Sequence, residues 1–99
     1  MKTPLEIQRS EHGHRGAWFS EKDGERVAEM TFTRVNPKLV IIDHTEVAES
    51  LKGQGAGRQL LDAAVAWARA NDTKFIPLCP YAKAQFEKDP SIGDVLSKG

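Results

Sequence analysis

The chain has 99 residues, a length that fits one domain with a modest core. Lys plus Arg and Asp plus Glu both number 14 and are interspersed, so the basic excess or one-sided basic patch of a nucleic-acid binder is missing. The single cysteine, Cys79, rules out an intramolecular disulfide, and the longest wholly apolar run, residues 39–42, is far short of a bilayer span.

Residues 5–8 alternate in polarity and predict the opening of a short edge strand; residues 11–14 are polar and predict a loop. Residues 17–20 read as a strand. Residues 21–24 form a turn, because Asp23-Gly24 favours the positive φ angles of a tight hairpin. Residues 26–34 form the next strand, and Asn36-Pro37 marks another turn. Leu39–Val47 is a third strand, apolar at every position in its first half, which predicts burial on both faces there. These strands make an antiparallel meander.

After a connector at residues 48–52 comes the glycine-rich run Gly53-Gln54-Gly55-Ala56-Gly57. Residues 58–70 predict a helix, with Leu60, Leu61, Ala64, Val65 and Ala68 on one apolar stripe. Asn71-Asp72 ends it. Residues 74–78 form a short strand that lies at an edge or splays at Pro77, which cannot donate to a ladder. Pro80 suits the first turn of a helix running to Lys88, where Asp89-Pro90 stops it. Residues 92–96 form a last turn. The order β-β-β-α-β-α predicts an α+β (mixed α/β) fold with helices packed on the sheet, in one domain over residues 1–99.

Glycines just before a helix have two readings. They form a flexible turn, or they let backbone amides at the positive helix end approach a phosphate. A Walker loop needs Gly-Lys followed by Ser or Thr, but Arg58 and Gln59 follow Gly57. A dinucleotide loop needs a sixth-place glycine, and counted from Gly53 that place is Arg58.

The run Lys52-Gly53-Gln54-Gly55-Ala56-Gly57 resembles the acetyl-CoA loop of GCN5-related N-acetyltransferases (GNAT). Lys52 departs from the Gln or Arg that opens that pattern but keeps the positive charge. The chain is similar to the small single-domain members of about this length, through His44-Thr45-Glu46-Val47, the glycine loop, and Pro77-Leu78-Cys79-Pro80-Tyr81-Ala82. The resemblance covers roughly residues 5–90. It implies that Lys52, Gly53, Gln54, Gly55, Ala56, Gly57 and Arg58 hold the pyrophosphate of acetyl-CoA. It also implies that backbone groups near Glu46 and Val47 pair with the pantetheine arm, and that Pro80 and Tyr81 join the cofactor contacts.

Acetyl transfer to an amine needs a base for the amine, stabilisation of the oxyanion and a proton for the leaving thiolate. The family often carries an Asn near the start of the last helix and a Tyr seven residues later. These places fall on Cys79 and Phe86, and Phe86 cannot donate a proton. Cys79, at a strand end and a helix start, is the substitute, as acid or as nucleophile; the plain alternative is a small buried hydrophobe. His44 and Glu46, two apart on one strand, share a face, and either is a candidate base or an ordinary polar strand residue. Tyr81 serves the cofactor, the acceptor or packing. His12 and His14 read as solvent-facing, with no metal site, and Trp18 and Trp67 as packing residues.

The expected activity is acetyl-CoA-dependent N-acetyltransfer to an amine, a small molecule or a protein lysine, through or assisted by Cys79. The alternatives are a CoA- or acyl-CoA-binding module without turnover and a thiol-reactive redox protein. With no apolar signal region and no lipidation motif, a cytoplasmic protein is expected, acting without membrane or nucleic acid and favouring a monomer.

Overall fold

The computed structural model describes residues 5–97. Five strands and two helices make one layer each: β1 (Gln8–His12), β2 (Arg15–Lys22), β3 (Glu25–Asn36), β4 (Leu39–Val47), α1 (Ala56–Ala70), β5 (Lys74–Pro77) and α2 (Pro80–Lys88). Short 3-10 turns occupy Glu49–Leu51 and Pro90–Val95. The sheet order is β1-β2-β3-β4-β5. Strands β1 to β4 pair antiparallel, and β5 pairs parallel to β4 because α1 carries the chain back across the sheet.

The β2–β3 turn falls at the predicted Asp23-Gly24, with φ of 54° and 81°, the left-handed pair whose twist matches a hairpin, while Glu21 and Lys22 belong to β2 and not to the turn. Gly16 in β2 is a packing requirement. A Cβ there would stand 2.3 Å from the Ser10 carbonyl oxygen and 2.4 Å from Cζ of Phe32.

The predicted stripe of α1 is the helix side of the core, with Leu60, Leu61, Ala64, Val65 and Ala68 all buried. It packs on Trp18, Met30, Phe32, Val40 and Ile42 of the sheet, and Ala82 and Phe86 of α2 join the same core. Both helices therefore cover one face. Trp18 is central, its ring centroid 4.7 Å from that of Phe32 and 5.8 Å from that of Phe75. Trp67 lies partly buried at the margin, with the Arg9 guanidinium 4.3 Å from its ring centre. None of the described helices is long and apolar enough to cross a membrane.

Three expectations need correction. Glu11 and His12 belong to β1 and are not loop. The Glu11 carboxylate is gripped by Arg34 and Arg9 at 2.6 Å each, a tertiary contact that polarity alone does not reveal. Residues 39–42 are not buried on both faces: Val40 and Ile42 are, while Leu39 and Ile41 point to the uncovered face and are only partly buried. Helix α1 begins at Ala56, two residues before the predicted start. The edge position of β5 holds, and its outer side is capped by Ser97, whose amide donates to the Phe75 carbonyl at 2.8 Å.

Candidate functional site

Strand β5 pairs with β4 only along residues 39–42. At that point the Ile42 carbonyl accepts from both the Leu78 amide (3.0 Å) and the Cys79 amide (3.1 Å). The chain then turns into α2, while β4 runs on to Val47 paired with β3 on one side and with no strand on the side of β5. The result is a V-shaped gap with Cys79 at its apex.

The register of β4 changes at the same place. Phe32 pairs with Ile42 and Thr31 with His44, so Asp43 is left without a partner in a β-bulge. Its carboxylate accepts from the Thr33 hydroxyl at 2.7 Å. The extra residue inverts which side chains face the helices. Thr45 and Val47 now pair with Met30 and Ala28 of the covered face, whereas His44 and Glu46 pair with Thr31 and Glu29 of the uncovered one.

The glycine loop ends at Gly55, the N-cap of α1, with φ 73° and ψ 24°. Gly53 has φ 85°. Both are left-handed, the conformation that glycine adopts without a Cβ penalty. The Gln59 amide donates to the Gly55 carbonyl at 3.0 Å. The amides of Ala56, Gly57 and Arg58 precede it in the first turn, where a helix supplies no carbonyl partner. They present a positive helix end to a cleft of about 340 Å³, lined by Thr45 and Val47, by Leu51, Lys52 and the loop glycines, and by Tyr81. Tyr81 lies against the loop: a Cβ on Gly57 would stand 3.0–3.2 Å from its ring edge and hydroxyl oxygen. Burial pushes the Tyr81 phenol above its ordinary value, so it stays protonated.

The charged side chains of the loop are engaged. The Arg58 guanidinium turns away to α2, with Nε 2.8 Å from Asp62, Nη1 2.9 Å from Gln85, and Nη2 on Asp89. That contact, with help from Ser91, holds the Asp89 carboxyl at about 2. The Arg58 guanidinium is thus held outside the cleft lining. The Lys52 ammonium is exposed, 2.8 Å from Glu49, and the Gln54 side chain donates back to the Ser50 carbonyl at 3.3 Å.

The three candidates for chemistry fall into two groups. Cys79 is 3% exposed, the N-cap residue of α2 with Pro80 following at the first turn, and its Sγ lies 3.2 Å from Thr45 Oγ1. His44 Nε2 and Glu46 Oε1 lie 2.9 Å apart, exposed on the opposite face. A hollow of about 380 Å³ opens beside them, lined in part by Arg26, Glu29, Glu46 and Val47. Phe86 is buried in the core. Thr45 and Leu51 are cleft residues that sequence reasoning missed. Plain alternation would have found Thr45 only if the bulge before it were known.

The model of the GCN5-related N-acetyl-transferase family matches residues 17–95. A GCN5-like protein from Staphylococcus aureus, solved in solution, is 36% identical, with a TM-score of 0.69 over 96% of this chain and 90% of that one. A GNAT family acetyltransferase from Elizabethkingia anophelis, crystallised with acetyl-CoA bound, shares the fold at 14% identity, with a TM-score of 0.66 over 88% of this chain and 74% of that one. A ribosomal-protein-alanine N-acetyltransferase from Brucella melitensis does so at 17% identity, with a TM-score of 0.59 over 87% of this chain and 64% of that one. A comparison with curated proteins returns no match. The chain belongs to the GCN5-related N-acetyltransferase family.

Proposed function

We propose that the cleft binds acetyl-CoA and that the protein transfers the acetyl group to an amine, either of a small molecule or of a protein lysine. The observation that carries this reading is that the gap between β4 and β5 and the left-handed glycine loop at the α1 N-terminus border one cleft. A pyrophosphate takes the positive helix end and the amides of residues 53–58, with the Lys52 charge beside it. The unpaired edge of β4 near Glu46 and Val47 takes the pantetheine amides as an added strand would. The Elizabethkingia fold with acetyl-CoA bound supports the placement by analogy.

In this reading the thioester reaches the apex, beside Cys79. Cys79 either accepts the acetyl group or protonates the leaving thiolate. Pro80 and Tyr81 wall the cleft. The amine comes from the uncovered face, where the His44–Glu46 pair takes its proton. The protein works as a monomer in the cytoplasm.

Calorimetry with acetyl-CoA tests the site beside Gly55→Asp, which places a carboxylate and a strained backbone in the cradle. Release of free CoA thiol with a panel of amines tests turnover. Binding in the wild type that is lost in the variant, together with amine-dependent thiol release, is the expected result. No binding at millimolar acetyl-CoA sinks the proposal. A second reading, a CoA-holding module without turnover, is favoured by the burial of Phe86 and Cys79. Binding without thiol release for any amine would select it.

A further inference from the structure

The Asp43 bulge decides which side chain meets Cys79. Continuous alternation from Ile42 would carry His44 and Glu46 to the helix side. The bulge sends them to the other face and brings Thr45 in. Its hydroxyl lies 3.2 Å from the Cys79 sulfur, and the same residue forms part of the cleft wall. Cys79 does not cap its own helix through its side chain. Cys79 belongs to the buried core; the Thr45 hydroxyl lies within hydrogen-bond distance of its sulfur, and the Tyr81 phenol also interacts with it electrostatically.

We infer that Thr45 is a positioning residue for the Cys79 thiol: its hydroxyl fixes the sulfur at the apex of the gap and donates to it as the sulfur attacks the thioester. This rests on the reading of the site as an acetyl-CoA site. Either atom can donate in the resting pair. A sulfur that is losing its proton only accepts, so Thr45 becomes the donor and favours the nucleophilic form. In the step, Sγ bonds to the acetyl carbon and the carbon–sulfur bond to CoA breaks. The thiol proton of Cys79 ends on the CoA sulfur, releasing free CoA thiol. An amine then attacks the acetyl-cysteine, forms the amide and returns a proton to Sγ. No oxidant or other reactant is needed.

The test mixes the whole protein with acetyl-CoA and follows acetyl-Cys79 by intact mass, with calorimetry for binding and thermal unfolding for integrity. Thr45→Val keeps the size and removes the hydroxyl; Thr45→Ser keeps the hydroxyl; Cys79→Ser is the blank. We expect Thr45→Val to fold and still bind acetyl-CoA while its acetylation rate falls about tenfold, the scale of one hydrogen bond to a charging group. Thr45→Ser stays within about threefold of wild type, well inside that loss. A wild-type rate in Thr45→Val overturns the inference. So does an equal loss in Thr45→Ser, which would make the methyl group the determinant. Acetyl-CoA binding by the wild type without any acetyl-Cys79 overturns it too, and leaves direct transfer as the function. Absence of binding by the wild type overturns the acetyl-CoA site itself, and this inference with it.

Discussion

Gly57 and Tyr81 are in contact across the two helix starts: a Cβ on Gly57 would stand 3.0 Å from Tyr81 Cζ and 3.2 Å from its hydroxyl oxygen. The missing side chain is therefore the space in which the phenol ring lies, along the wall of the cleft.

Gly57→Ala sets two effects against each other. Alanine in a helix is favoured over glycine by roughly 1 kcal/mol. The new methyl group also pushes the Tyr81 ring by a few tenths of an ångström. Thermal stability should change little. Acetyl-CoA affinity should drop about tenfold, a loss near 1.4 kcal/mol, as the ring moves into the cleft. Calorimetry on the variant and on the Gly57→Ala/Tyr81→Phe pair checks this. Equal affinity in wild type and Gly57→Ala would show that the ring does not border the ligand.

Glu11 and Asp89 are the carboxylates held furthest below their ordinary values, and Asp72 and Asp94 are lowered as well by Lys38 and Arg69. Glu11 falls from 4.5 to about 2, chiefly through its bond to Arg34, with Arg9 adding to it against the cost of burial. Asp89 falls from 3.8 to about 2, chiefly through Arg58. Each binds its proton more weakly when folded than when unfolded. Their stabilisation is complete above the unfolded values and is lost as pH falls through about 2. Urea midpoints should hold steady down to about pH 5 and decline below it. Glu11→Gln and Asp89→Asn should each lower the midpoint at neutral pH and flatten that decline.

Glu46→Gln separates the two halves of the proposed reaction. His44 and Glu46 are exposed and hold each other 2.9 Å apart on the uncovered face, so the variant should unfold within a degree or two of wild type, the usual range for a surface change. Acetyl-CoA affinity should be unchanged. The rate of amine acetylation should fall about a hundredfold, the low end for a general base. A stopped assay with saturating acetyl-CoA and varied amine reads the difference. Unchanged amine turnover would remove the pair from the reaction.

Gly16→Ala tests the sheet. The added methyl group would meet the Ser10 carbonyl oxygen at 2.3 Å and the Phe32 ring at 2.4 Å, with backbone on one side and a buried ring on the other. Neither can yield cheaply, so a loss of about 3 kcal/mol is expected by urea unfolding. A loss below about 1 kcal/mol would mean that β1 separates from β2 without consequence.

Elements whose cause is local are legible along the chain. The apolar stripe of α1 is a matter of 3.6-residue spacing, and all five of its residues are buried. Asp23-Gly24 makes its turn because those residues tolerate positive φ. Pro80 starts α2 because a first-turn amide is dispensable. The glycine run leads into a helix as spacing placed it, although its last two residues, Ala56 and Gly57, belong to the first turn of α1. The remainder depends on contacts between segments far apart in the chain. The ion pair from β1 to Arg34 engages Glu11 in a strand that its polarity alone assigns to a loop. Arg58, read as a phosphate ligand, spends its guanidinium on Asp62, Gln85 and Asp89, because α2 folds back within its reach. The same limit separates His44 and Glu46 from Cys79. Alternation along a strand is a local rule that holds only while the register is kept. One unpaired residue, Asp43, inverts every side chain after it, and the pairing partner that imposes that bulge lies in another strand.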